Sequence, residues 1–321
     1  LELSEIYAPV TADLEKVEAA LKGISQVDFP WLAELLNHAM GAGGKRIRPA
    51  LTLLGGKFFN YRFQYLLHMA QSIELMHTAT LIHDDAIDKS ETRRGRVTIY
   101  KLWGTDPAIL FGDYLFARAG VAVSYTESIR AIRLFSETLM TISRGELLQA
   151  SNSFNLRQSR DMYFQRIFGK TASLFCLSTE TGGILSQAPE SAIRSLSEYG
   201  RNLGLAFQIV DDILDFIGTE EELGKPAGSD LLQGTLTLPA MLLNEQYPQD
   251  NPVKRLFQNH QATENIKEAI EQVRNSPIVD ECFKIARRYC DLACDQLTEL
   301  PESPAKHSLS ELADFVVMRR V

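Results

Sequence analysis

The sequence predicts an all-helical protein, and three observations carry that prediction. Apolar residues recur at three- and four-residue spacing, as in LFSETLMTISRGELLQ from position 134 and SAIRSLSEYGRNLGLAFQIVDDILDFI from 191. Strand-like runs bounded by hairpin signals are scarce. Turn chemistry is confined to GAGGKRIRP (41–49), KLWGTDP (101–107), IGTEEELGKPAGSD (217–230), NEQYPQDNP (244–252) and ELPESP (299–304). None of these turns is long enough to separate independent domains. Residues 1–321 therefore read as one helical domain of about a dozen helices, with function carried at helix ends and loops.

Composition narrows the function. With 321 residues and 45% apolar side chains the chain can build a substantial core. A net charge of -8 argues against broad nucleic-acid binding, although a small anion responds to the local field and remains a possible ligand. The four cysteines, Cys176, Cys282, Cys290 and Cys294, make a poor disulfide framework and fit a reducing, cytoplasmic setting. Cys290 and Cys294 lie one helical turn apart, but no neighbouring histidine or cysteine completes a zinc set. No apolar run reaches membrane-spanning length, and LELSEIYAPV lacks the basic start of a secretory signal.

Taken in chain order, the first chemical element is GGKRIRP. It places Lys45, Arg46 and Arg48 around a glycine turn, with Pro49 suited to a helix's first turn. Exposed amides, a helix amino terminus and cations suit a diphosphate. His77 comes next, two turns before Asp84 on the same helix face. In HDDAIDKSETRRG, Asp84 and Asp88 are one turn apart on one face, with Asp85 to the side. Like charges at that spacing need solvent or a cation, and hard divalent ions prefer carboxylate oxygens. An acidic triplet alone reads as a solvated turn. FQIVDDILDF repeats the spacing at Asp211, Asp212 and Asp215 inside a strongly apolar helix, where burial is favoured and a solvated face is not. Gln208 shares that face. Arg93 and Arg94 follow the first triplet directly. Arg319 and Arg320 near the end either cap the site or form a solvated basic tail, and the tail is the favoured reading.

With these motifs in order, the sequence resembles the trans-type polyprenyl diphosphate synthases. The likeness runs from GGKRIRPA through HDDAIDKSETRRG, GDYLFARA, FGKTASLF and FQIVDDILDF to GKPAGSD. It implies an isoprenoid-synthase fold, a single large helical bundle around a central cavity, generally in a homodimer. It implies magnesium, about three ions per active site, on Asp84, Asp88 and Asp211, with Asp85, Asp212 and Asp215 in support. Lys45, Arg48, His77 and Arg94 would hold isopentenyl diphosphate. Arg93, Lys170, Thr171, Gln208 and Lys225 would grip an allylic diphosphate carrying a geranyl, farnesyl or geranylgeranyl chain. The implied chemistry is ionisation of the allylic carbon–oxygen bond, attack by the isopentenyl double bond, and proton loss to the released diphosphate. In one departure, Thr235 stands where many members carry a lysine.

Chain length follows from the helix before Asp84. Short-chain members place aromatics at the positions of Ala79 and Thr80; here both are small. The expected hydrocarbon wall runs through Ala79, Thr80, Met76, Ser72 and Met69, with Met76 as the nearest floor and Phe135 as a further one. From Ala79 to Met69 that wall is about 15 Å, which with favourable burial of each added unit suggests a medium to long product of about thirty to fifty carbons. Ala79→Phe is expected to shorten it. Three rival readings are a catalytic half of a heteromer, a non-catalytic partner-binding subunit, and a class I terpene cyclase. The two complete acidic motifs argue against the non-catalytic subunit. The second diphosphate site argues against the cyclase. Peripheral membrane contact would suit so apolar a product, though no basic amphipathic helix demands it.

Overall fold

The computed structural model describes residues 2–41, 43–93, 95–219 and 226–319. They are helical nearly throughout, as the apolar spacing requires, and the long segments at 134–149 and 191–217 lie within single helices, Ile129–Ser151 and Glu190–Ile217. Seventeen α-helical segments occur among the described residues, more than the dozen expected. The excess consists of short pieces such as Leu3–Ile6, Ile99–Trp103 and Ser229–Leu232, too brief to show a 3.6-residue period. The turns fall where glycine, proline and asparagine place them. Gly104 (φ 92°) separates Ile99–Trp103 from Thr105–Ser124. Asn251 caps the helix Pro252–Gln258 by accepting from the Lys254 amide at 2.8 Å. The one strand pair among the described residues is a two-residue antiparallel ribbon, Thr92–Arg93 with Arg96–Val97, turning at Gly95 (φ 72°).

The chain divides into two compact units. The first comprises Leu1–Leu139, Leu174–Gly200 and Cys294–Leu312. Its central helix, Phe63–Ile87, carries the first aspartate motif and packs most extensively on Thr105–Ser124, and also on Ile47–Gly56. Leu66, Met69, Ile73 and Met76 are fully buried there, each contributing about 1.5–3 kcal/mol of apolar burial. The Ser72 hydroxyl donates to the Ala119 carbonyl at 2.8 Å, and a Cβ on Gly112 would lie 2.2 Å from the His83 ring. These contacts fix which face of the central helix meets its neighbour.

The second unit comprises Met140–Ser173, Arg201–Ala293 and Ala313–Val321. Its core gathers Tyr163, Ile209, Ile213, Phe216, Leu238 and Val273 around the second aspartate motif. Arg274 donates to the Phe216 and Gly218 carbonyls at 2.8 and 3.1 Å, satisfying acceptors at the end of Glu190–Ile217 with a cation suited to that end. Among the described residues no helix is long and apolar enough to cross a membrane.

Candidate functional site

The six aspartates divide by burial. In the first motif Asp85 is only 6% exposed, whereas Asp84 is half-buried and Asp88 exposed. In the second, Asp212 and Asp215 are each 2% exposed, whereas the Asp211 side chain is 39% exposed. Each helix thus anchors some carboxylates within the protein and offers the others to solvent.

The first motif lies at a helix carboxyl end. Asp88 caps Phe63–Ile87, its amide donating to the Asp84 carbonyl at 2.8 Å. The macrodipole is negative there, so three added carboxylates favour a cation nearby. Asp85 is the braced member: Arg93 Nε donates to its Oδ1 at 2.7 Å. Burial pushes the Asp85 carboxyl above its usual range, with Arg93 opposing and Asp84 and Asp88 adding to the rise. The ribbon at 92–97 is what returns Arg93 to the helix end. Arg94 lies outside the described residues.

The cationic turn before Ile47–Gly56 belongs to the same unit. Gly43 (φ 64°), Gly44 (φ 158°) and Arg46 (φ 49°) adopt conformations that side chains disfavour, which explains the two glycines. Lys45 is exposed, and its carbonyl accepts from the Tyr7 hydroxyl at 2.9 Å. The Arg48 guanidinium stacks 4.8 Å from the Phe175 ring centroid. Arg46 is engaged inside the protein by Glu18 and Glu74. A cavity of about 90 Å³ is lined by Arg46, Glu74, His77, Asp85, Arg93 and Arg96, among others. His77 and Arg93 therefore share a pocket.

In the second unit the expected allylic-side residues form a hydrogen-bonded chain. The Thr171 hydroxyl donates to Gln208 Oε1 at 2.5 Å, and Gln208 Nε2 donates to Asp212 Oδ1 at 2.8 Å. The Tyr163 hydroxyl donates to Asp212 Oδ2 at 2.8 Å. Burial pushes Asp212 up to about 7, with Asp230 adding to the rise and Gln208, Arg166 and Tyr163 opposing it. Asp215 accepts from the Ser229 hydroxyl at 3.1 Å and the Asp230 amide at 3.3 Å, tying the helix to the segment after 226. Lys170 pairs with Glu146 at 2.8 Å on a π-helical turn, Phe168–Ala172. Such turns recur at functional sites. Lys225 lies outside the described residues.

Several features escaped the sequence. Tyr163 and Glu146 carried no motif signal; the apolar spacing had no means of marking them as polar partners. Arg319 corrects an expectation. Its side chain is 5% exposed and not a solvated tail; it lies 3.8 Å from the Phe207 ring centroid, donates to the Phe207 carbonyl at 2.6 Å and pairs with Asp211 at 2.7 Å. Arg320 lies outside the described residues. The expected hydrocarbon wall is mostly buried. Met69, Met76 and Ala79 are wholly buried, and Ala79 lies seven residues after Ser72 and four before His83, on the face packed against Thr105–Ser124. Phe135 is 5% exposed. Thr80, one turn before Asp84, keeps partial exposure and donates to the His77 carbonyl at 2.7 Å.

The donor set fits a hard divalent cation: the exposed groups of both motifs are carboxylate oxygens, and the adjacent imidazole of His83 meets the Ile109 carbonyl at 3.0 Å. Among the described residues no three His, Cys, Asp or Glu side chains form a closed metal cluster. Magnesium suits such open donors because it retains waters and takes substrate phosphates.

Comparison with known proteins agrees. A family model for polyprenyl synthetase matches residues 29–273. Heptaprenyl diphosphate synthase component 2 of Geobacillus stearothermophilus is 37% identical over 99% of this chain and 99% of its own length. The chloroplastic solanesyl-diphosphate synthase 2 of Oryza sativa subsp. japonica is 36% identical over 99% of this chain and 80% of its own. A polyprenyl synthase from Caulobacter crescentus CB15, solved in complex with calcium and isoprenyl diphosphate, superposes with a TM-score of 0.95 at 34% identity, covering 100% of this chain and 98% of that one. The chain belongs to the polyprenyl synthetase family. It is an all-helical enzyme that transfers prenyl groups.

Proposed function

We propose that this prenyltransferase condenses isopentenyl diphosphate head-to-tail with an allylic diphosphate, making an all-trans polyprenyl diphosphate of medium to long chain. The division of the six aspartates carries the reading: Asp84, Asp88 and Asp211 are the exposed or half-exposed members, and Asp85, Asp212 and Asp215 are buried supports. Lys45, Arg48, His77 and Arg94 bind isopentenyl diphosphate. Arg93, Lys170, Thr171, Gln208 and Lys225 belong to the allylic diphosphate, and the Thr171–Gln208–Asp212 chain orients the polar groups on its side.

Members of this family are generally metal-dependent, and the calcium in the Caulobacter relative's complex supports a hard divalent ion here. Asp84, Asp88 and Asp211 would hold magnesium, about three ions, and that charge would stabilise the departing diphosphate. The protein's own part is to fix both substrates' diphosphates with cations and to keep the reacting carbons in line. No side chain serves as a dedicated base in this reading; the proton passes to the released diphosphate.

A homodimer acting in the cytoplasm is the assembly proposed, with residues 1–321 as one functional domain. Cys176, Cys282, Cys290 and Cys294 are thiols and not disulfides, which supports a reducing compartment. Relatives named "component 2" favour a second reading, in which the chain is the catalytic half of a heteromer. Purified chain supplied with magnesium, farnesyl diphosphate and labelled isopentenyl diphosphate tests both. Label recovered in a longer allylic product supports the homomeric enzyme. Label left in the isopentenyl pool unless a partner chain is added supports the heteromer.

A further inference from the structure

The sequence presents three cations in a row of four residues, Lys45, Arg46 and Arg48, and the structure separates the middle one. Arg46 Nε and Nη2 donate to Glu18 at 2.7 and 3.2 Å, and Nη1 donates to Glu74 at 2.6 Å. The Arg46 and Glu74 side chains are 13% and 8% exposed. Arg46 is left-handed (φ 49°, ψ 33°), and its carbonyl accepts from the Ala50 amide at 3.0 Å, so this conformation starts the helix Ile47–Gly56. Glycine would adopt it without strain, and two glycines, Gly43 and Gly44, stand just before Lys45. The side chain is therefore needed for more than the backbone turn.

Its partners show the purpose. Glu74 lies on the central helix three residues before His77, hence on the same face. Glu18 comes from Thr11–Gly23. The three side chains tie the turn bearing Lys45 and Arg48 to the helix bearing His77 and Asp84. We propose that Glu74 and Glu18 are positioning residues for isopentenyl diphosphate, clamping Arg46 so that Lys45, Arg48 and His77 keep one fixed spacing. The inference rests on the assignment of those three residues to that substrate. Arg46 itself reaches no substrate in this account, which distinguishes it from its neighbours in the motif.

The test measures binding of isopentenyl diphosphate by calorimetry with magnesium and no allylic substrate, so no turnover occurs. Glu74→Ala is expected to raise Kd about tenfold, because loss of a fixed spacing weakens every diphosphate contact together. Glu74→Gln, which keeps an acceptor, restores part of the loss. Arg46→Gly, which suits the left-handed turn but breaks the clamp, weakens binding as Glu74→Ala does. Binding of farnesyl diphosphate stays unchanged in all three. Unchanged isopentenyl affinity in folded Arg46→Gly overturns the clamp, as does a uniform loss for both substrates. Should Glu74→Ala not fold, Glu18→Gln and Arg46→Gly decide the matter. Lys45→Ala tests the underlying assignment separately: if it leaves isopentenyl binding intact, the substrate reading of the turn fails, whatever the clamp does.

Discussion

At the scale of single residues, neighbouring aspartates have opposite tasks. Asp211 is 39% exposed at its side chain and Asp212 is 2% exposed, one residue along the same helix. Asp212 is enclosed by Tyr163 and Gln208, whereas Asp211 meets Arg319 and solvent. Asp84→Ala and Asp211→Ala are expected to lower kcat by about a hundredfold or more, with far-ultraviolet dichroism unchanged. Asp212→Asn keeps a carbonyl for Tyr163, and a flip of the Gln208 amide restores the second bond, so its kcat falls by less. Equal losses at 211 and 212 would show that burial does not sort their roles. The wall residues divide similarly. Thr80→Phe, on the partly exposed face one turn before Asp84, shortens the product read by mass spectrometry. Ala79→Phe, in a packed face, costs about 1–3 kcal/mol by overpacking and is read as a lower denaturation midpoint. The sequence alone marked Ala79 and Thr80 as small, but smallness serves close helix packing as well as an open channel. The Ser72–Ala119 and His83–Gly112 contacts, on the helix face that Ala79 shares, favour the packing use at that position.

At the scale of elements, periodicity made the long helices legible and was blind to what joins them. Residues 134–149 and 191–217 read as helices because an apolar stripe of 3.6-residue period has one solution. The ribbon at 92–97 was hidden inside RRG, whose charges dominate its turn signal. The π-turn at 168–172 was hidden because one extra residue in a helix leaves no trace in composition. Helix Ser173–Leu185 shows how an element's packing creates a titration that no motif announces. Glu180 accepts from the Ser197 hydroxyl at 2.8 Å, with Cys176 Sγ at 3.9 Å and the exposed Arg130–Glu190 pair nearby. Burial raises the Glu180 carboxyl above its usual 4.5, against the opposing effects of Ser197 and Arg130, while Glu190 and Glu137 add to the rise. A carboxyl with a raised folded pKa contributes most stability below its unfolded value and loses that contribution as pH rises through the folded value. Glu180→Gln keeps the acceptor and removes the charge. It is expected to raise Tm by about 2 °C at pH 8, with the gain shrinking steadily toward acid. A gain that grows as pH falls would reverse the sign and refute the account.

At the scale of the whole molecule, the surface carries a requirement that the interior does not. Isolated exposed leucines are ordinary on a soluble chain, but helical rows of them mark an interface. Helix Thr105–Ser124 exposes Leu110 (67%) and Val121 (46%) eleven residues apart, and Ile129–Ser151 exposes Ile129 (77%), Met140 (65%) and Leu147 (72%) at intervals of eleven and seven. Both spacings return to the same helix face, so each helix sets exposed apolar side chains at intervals along one outward face, with polar residues such as Asp113, Arg133, Glu137 and Arg144 between them. A second copy would meet such faces with identical ones, which a two-fold axis satisfies. On the homodimer proposed above, these exposed apolar positions are the contacts to test. Leu110→Glu and Leu147→Glu, each placing a carboxylate where desolvation is demanded, are expected to convert a dimer into a monomer in light scattering at micromolar concentration. The helices remain, because neither side chain enters the core. A wild-type chain that is already monomeric, and that associates only when another polypeptide is supplied, would assign the same faces to a heteromeric partner. A chain that stays dimeric in both variants would place the interface on another face.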